Sequence, residues 1–235
     1  MSSAGRFTIL IAARDEEERV GRTVTELRRR FPEAQVLVAD DGSRDDTARV
    51  AATAGARVLR LPRRGKGQAL TLGEREAREG LLLLCDADLA GDLSPLLEGD
   101  ADLRVAAFAR RQGGGLGIAK ETARRLIRLR SGFLAAEPLS GQRVLTQRAR
   151  EAVFPLAAGF GAESAMMADA VRAGLTVAQP RLELEHRATG RDLRGFLHRG
   201  RQLRDILLAF GPQARNHRGL RLPLVGWLAG VAHPS

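Results

Sequence analysis

The sequence predicts an α/β fold built on a mostly parallel sheet with helices on both faces. Three observations carry that expectation. Four short apolar runs recur before residue 90. Segments with apolar residues at helical spacing separate them. The runs are apolar throughout, as strands covered on both faces require.

The elements follow in order. Phe7 to Ala13 is a buried strand, and Glu16 to Phe31 is a helix with Val20, Val24 and Leu27 on one face. Gln35 to Ala39 is a second strand that runs into Asp40-Asp41-Gly42-Ser43. Asp45 to Ala54 then forms a helix with Asp45 or Asp46 near its cap. Ala56 to Leu61 is a third strand, Lys66 to Glu79 a helix, and Leu81 to Cys85 a fourth strand ending at Asp86-Ala87-Asp88. The rest is less regular. Leu103 to Ala109 reads as a strand, Gln112 to Gly117 as a glycine-rich mobile loop, and Ile118 to Phe133 as an arginine-rich helix. Gly141 to Thr146 is a further strand, Ala162 to Ala173 a helix, Leu182 to His186 an alternating strand, and Leu193 to Phe210 a late helix. No repeat or linker divides the 235 residues, so one domain is expected.

Composition narrows the class. Hydrophobic residues make up 44% and charged residues 28%, the balance of a globular protein. Cys85 is the only cysteine, which excludes a disulfide framework and a paired-thiolate zinc site and fits a cytoplasmic setting. Met1 to Arg6 lacks the layout of a secretory signal, and no run approaches the roughly 18 apolar residues of a membrane span. The net charge of +10 suggests a nucleic-acid partner. Its distribution argues against one: Lys66 and Lys120 are the only lysines, the arginines spread from Arg6 to Arg221, and tyrosine is absent. No nucleic-acid partner is expected. The segment Leu222 to Ala232 is apolar but too short to cross a bilayer. Packing on the core or forming a homodimer is favoured for it over peripheral contact at the inner face of a membrane, toward which Arg215, Arg218 and Arg221 would point positive charge.

In open α/β sheets ligands bind at the carboxyl ends of the strands. Asp15-Glu16-Glu17, Asp40-Asp41 and Asp86-Ala87-Asp88 all fall there. Converging carboxylates repel unless they hold a cation or accept from a ligand. A hard divalent metal, Mg2+ or Mn2+, suits oxygen ligands and keeps open positions for a diphosphate. Lys66 lies in Arg63-Arg64-Gly65-Lys66-Gly67, where flanking glycines let a phosphate approach the backbone.

The segments Ile11 to Glu17, Asp40 to Ser43, Gly65-Lys66-Gly67 and Asp86-Ala87-Asp88, in this order on these strand ends, resemble family 2 glycosyltransferases of the Rossmann-like GT-A fold. The likeness covers residues 7 to 190. Ala12 stands where many members have proline, and Asp15 where many have asparagine. The resemblance implies that Asp41 contacts the base of a nucleotide with Asp40 fixing the turn, and that Ala12, Arg14 and Glu16 line the nucleoside pocket. Asp86 would face the ribose and sugar, Asp88 would hold the metal on the diphosphate, and Lys66 would sit near the nucleotide or its phosphates. Ser140-Gly141-Gln142 and Gly159-Phe160-Gly161-Ala162-Glu163 resemble acceptor-side segments, the latter also those of glucosyl-3-phosphoglycerate synthases and polyprenyl-phosphate sugar transferases. His186 stands where a histidine completes the metal site in the former.

The implied activity is metal-dependent transfer of a sugar from a nucleotide diphosphate sugar, with UDP favoured, to a small-molecule or lipid-phosphate acceptor. Asp86, Asp88 and Glu163 would be catalytic, with Glu163 as the base of an inverting transfer. A retaining course like that of the synthases is the alternative, and an inert anionic-ligand-binding protein is the reading outside enzymes. Residues 1–110 would then bind the donor and 111–210 the acceptor, leaving 211–235 as the apolar tail. Plainer readings stand beside these: Asp40 to Ser43 as a turn and helix cap, Lys66 as a surface charge, Glu163 as a solvent-facing helix residue, His186 as a hydrogen-bonded strand end.

Overall fold

The computed structural model describes residues 7–108, 117–157, 159–185 and 204–210. Its first half runs β1 (Thr8–Ala13), α1 (Val20–Arg30), β2 (Gln35–Asp40), α2 (Thr47–Thr53), β3 (Arg57–Arg60), α3 (Lys66–Arg75) and β4 (Leu82–Asp86). Then come β5 (Ala90–Gly91), α4 (Ser94–Leu97), β6 (Leu103–Val105), β7 (Ala107–Phe108), α5 (Gly117–Ser131), β8 (Arg143–Leu145) and α6 (Gln147–Val153). A 3-10 turn (Gly159–Gly161), α7 (Ala162–Arg172), β9 (Val177–Ala178), β10 (Arg181–Leu182), β11 (Leu184–Glu185) and a helix at 204–210 complete the described chain.

The main sheet has seven strands in the order β3-β2-β1-β4-β8-β6-β9. β1, β2, β3 and β4 pair in parallel, and β8 runs antiparallel to both β4 and β6. The expected mostly parallel sheet is therefore present, with one reversed strand beside β4. Alternate residues of each strand point to opposite faces. Ile9, Ile11, Val36, Val38 and Leu83 pack with Val20, Val24 and Leu27 of α1 and Ala51 of α2. Leu10, Leu37, Leu82 and Leu84 pack on the other face with Leu70 of α3, Ile127 of α5, Val153 of α6 and Met166 of α7. Among the described residues, no helix is long and apolar enough to cross a membrane.

Departures from the predicted elements have local causes. The first helix was expected from Glu16 but starts at Val20. The amides of Glu16 and Glu17 donate instead to Thr47 Oγ1 (2.8 Å) and Asp45 Oδ2 (3.2 Å), so tertiary bonds replace the first turn. The helix expected over Lys66 to Glu79 stops at Arg75, and the Arg78 amide donates to Thr8 Oγ1 at 3.0 Å. The strand read from Leu103 divides at Ala106, whose amide donates to the Gln142 carbonyl while that of Ala107 turns to Pro180. α6 was not foreseen. Its cap is Thr146, which accepts from the Ala149 amide at 3.2 Å, and its buried face includes Arg150, which no apolar pattern reveals. The loop at 112–116, His186, the start of the late helix and the tail at 211–235 lie outside the described residues.

Candidate active site

The exits of β1, β2 and β4 meet at one edge of the sheet. In the β1–β4 register Ala12 stands opposite Asp86, and in the β1–β2 register it stands opposite Ala39. Ala12 thus lies between the two acidic strand ends. Past β1 the backbone turns left-handed at Asp15 (φ 55°), a conformation that aspartate tolerates better than most residues. This turn joins Asp15 to the β2 exit: its amide donates to Ser43 Oγ (3.0 Å) and its Oδ1 accepts from the Arg44 amide (2.9 Å). Arg14 is exposed and pairs with Asp15 at 3.5 Å, while Glu16 accepts from Arg19 Nη1 at 2.9 Å. That hydrogen bond is the main reason the Arg19 pKa is raised, and the charge of Asp88 adds to it, so Arg19 stands in the field of both carboxylates.

Asp40 and Asp41 are both buried. Asp40 Oδ1 accepts from the Ser43 amide at 3.1 Å and from the Ser43 hydroxyl, closing the turn. Asp41 reaches further, accepting from the amides of Arg64 (2.6 Å) and Gly65 (2.9 Å). It thereby fixes the loop that delivers Lys66 at the start of α3. Carboxylates held by backbone amides need no partner side chain.

Lys66 is the centre of the site. Its Nζ lies 2.7 Å from Asp86 Oδ1 and 2.8 Å from Glu163 Oε1. Burial works against the ammonium, but the charges of Asp86 and Glu163 outweigh it and raise the pKa above the ordinary lysine value. The other Asp86 oxygen accepts from Gln142 Nε2 at 3.1 Å. A β-carbon on Gly141 would stand 2.3 Å from Asp86 Oδ2, so only glycine lets the carboxylate lie over the loop that enters β8. Asp88 follows as a half-buried residue. Cys85 is buried before this pair, and burial and then the charges of Asp86 and Asp88 push its thiol pKa well up.

The structure therefore brings together Ala12, Lys66, Asp86, Gly141, Gln142 and Glu163, with Asp40 and Asp41 fixing the turn and loop behind them. Ser140 is buried at the root of the second-half segment. Gly161, read from the sequence as a substrate contact, packs against the helix at 204–210. A β-carbon there would meet Ala209 Cβ at 2.4 Å and the Asp205 carbonyl at 2.5 Å, which seats the helix at 204–210 on the Gly159–Gly161 turn. Ile206 of that helix packs on Ala119 and Ala123, and the Arg130 guanidinium lies 5.7 Å from the Phe210 ring.

Sequence reasoning did not single out Arg143, which lies beneath the candidate site. Arg143 is fully buried in β8. Its Nε donates to the Ser140 carbonyl (2.8 Å), Nη1 to the Glu163 carbonyl (2.6 Å) and Nη2 to the Pro138 carbonyl (3.2 Å). Burial pushes its pKa down to about 10, so it stays charged at neutral pH, supported by Glu163 and Asp86. The only trace in the sequence is an arginine directly before the apolar pair Val144-Leu145.

Comparison with known proteins places this arrangement. The profile of glycosyl transferase family 2 matches residues 8–123. The chain is 32% identical over 222 residues to the glucosyl-3-phosphoglycerate synthase of Mycolicibacterium paratuberculosis (strain ATCC BAA-968 / K-10), covering 79% of this chain and 67% of that protein. The chain belongs to glycosyl transferase family 2, and it is a nucleotide-sugar glycosyltransferase of the GT-A fold. It is also similar to crystal structures of glucosyl-3-phosphoglycerate synthase from Mycobacterium tuberculosis. One, in complex with Mn2+, UDP and glucosyl-3-phosphoglycerate, shows 26% identity and a TM-score of 0.70 over 88% of this chain and 80% of that one. Another, with Mg2+ and UDP, shows 26% identity and a TM-score of 0.70 over 88% and 79%.

Proposed function

We propose that the chain transfers a hexose from a UDP-sugar, in the presence of Mn2+ or Mg2+, to a small phosphorylated acceptor. The observation that carries this reading is the contact of Lys66 and Asp86 from the first half with Gln142 and Glu163 from the second. The complexes of the similar synthase with UDP, with either metal and with glucosyl-3-phosphoglycerate support it.

In this reading Asp41, the turn fixed by Asp40, and Ala12, Arg14 and Glu16 form the nucleoside pocket. The metal falls to Asp88, a hard oxygen ligand, because Lys66 and Gln142 engage both oxygens of Asp86. His186 is proposed as its second protein ligand. When bound on the diphosphate, the cation supplies stabilisation of the charge that builds on the leaving nucleoside diphosphate. Lys66 would supply positive charge toward the phosphates, offset by the Asp86 and Glu163 carboxylates that it pairs with. Asp86 and Gln142 orient the sugar, and Ser140 and Gly141 shape the acceptor side.

An inverting transfer needs a base on the acceptor hydroxyl. The Glu163 side chain is only 8% exposed and is held by Lys66. This favours the retaining course over the inverting one that the resemblance implied, with Glu163 positioning the sugar or acceptor.

Calorimetric titration with UDP, with and without Mn2+, tests the reading. Saturable, metal-dependent binding that is lost in Asp88→Ala is expected; binding indifferent to both metal and Asp88 would overturn it. Incubation of UDP-glucose with 3-phosphoglycerate or a polyprenyl phosphate then separates the acceptors, and the anomer of the product separates retention from inversion.

A further inference from the structure

We infer that Arg143 is a positioning residue for the transfer step, holding the second-half side of the site in register with Lys66 and Asp86. The inference rests on the sugar-transfer reading above and adds a residue to it. Arg143 acts from beneath the site, through three main-chain carbonyls. Pro138 and Ser140 belong to the loop that enters β8, and Glu163 to the first turn of α7. Each of these segments carries a group that meets the central pair. The loop provides Gly141 and Gln142 against Asp86, and α7 provides the Glu163 carboxylate against Lys66. One rigid planar fork bonded to both segments fixes the distance between them.

Its own anchor is the middle of the sheet. Arg143 stands opposite Leu84 of β4, two residues before Asp86, so the fork is referenced to the strand that ends in Asp86. The fork also serves the fold, because its bonds to three main-chain carbonyls are lost when it is removed. A purely structural role would lower the amount of folded, UDP-binding protein and leave kcat per intact site unchanged.

Arg143→Met removes the fork and Arg143→Lys keeps the charge without it. Calorimetry with UDP and Mn2+ counts intact donor sites, and UDP-glucose turnover with 3-phosphoglycerate or water gives kcat per site. Both variants are expected to bind UDP within about threefold of the wild type while kcat falls about a hundredfold, the scale of a small misplacement in the reacting geometry. The donor KM should stay nearly constant. A kcat per UDP site within about threefold of the wild type in Arg143→Met would overturn the inference. So would full recovery by lysine, which would assign the effect to charge alone, and so would loss of UDP binding in both variants, which would make Arg143 a residue of the fold itself. If the wild type fails to bind UDP with Mn2+, the function reading falls instead.

Discussion

The two halves of this molecule are held together by different means. Up to β4 the strands are four to six residues long, and Ile9, Leu10, Ile11, Leu37, Val38 and Leu83 are fully buried between two helical layers. Backbone ladders satisfy the strands there. Beyond β4 the strands shrink to two or three residues, and arginine side chains bond main-chain carbonyls across the loops and helix ends. Arg104 donates to Leu97, Glu98 and Gly99, Arg124 to Ala135 and Ala136, and Arg143 to Pro138, Ser140 and Glu163. Arg150 binds the carbonyls of Glu74, Arg78 and Gly80 and so ties α6 to the end of α3. A guanidinium offers five donors in one plane, enough to stand in for several ladder bonds. Part of the arginine excess is therefore scaffold.

Removing one such clamp should cost the most. Arg150→Met removes the guanidinium from the Glu74 carboxylate, 3.0 Å away, and from the carbonyls of Arg78 and Gly80, and is expected to cost about 3–5 kcal/mol in urea unfolding. Arg150→Lys should recover little of this. A cost under about 1 kcal/mol would break the comparison, because the second half would then not depend on its arginines. In the first half the matching test is apolar. Leu10→Ala should cost about 3 kcal/mol by opening a cavity between β1 and α3.

The next effect is on activity. Gly141→Ala pushes a β-carbon into the Asp86 carboxylate and is expected to lower kcat about tenfold, about 1.4 kcal/mol, with the melting temperature little changed. The smallest effect is a pH dependence at the joint of β6 and β9. Asp102 accepts from the Thr176 amide and hydroxyl, and the amide bond chiefly holds its pKa below the usual carboxylate value, with burial opposing. A depressed carboxylate stabilises the fold above its unfolded pKa of about 4, and this is lost as pH falls through the folded value. Asp102→Asn should therefore lower the melting temperature at pH 7, and the gap from the wild type should narrow as pH falls below the unfolded value of about 4.

The same contrast explains what could be read in advance. Apolar runs such as Thr8 to Ala13 mark two-sided strands directly, and the order of Asp40-Asp41, Lys66 and Asp86 on successive strand ends marked half of the site. Arg143 and Arg150 escaped because a basic residue counts as surface in any periodicity, although both are buried here. Element ends escaped for a related reason. The amides of Glu16 and Glu17 bond to α2 across the chain, which no local pattern encodes.

The near absence of lysine has a practical consequence. Lys66 and Lys120 are the only lysines, and each is in an ion pair, Lys66 with Asp86 and Glu163 and Lys120 with Glu137. Apart from the α-amino group, an acylating reagent finds two amines on the whole chain, one of them in the candidate site. Acylation needs the free amine, so Lys66, held as the ammonium by Asp86 and Glu163, is expected to gain mass only when a substitution opens that cluster.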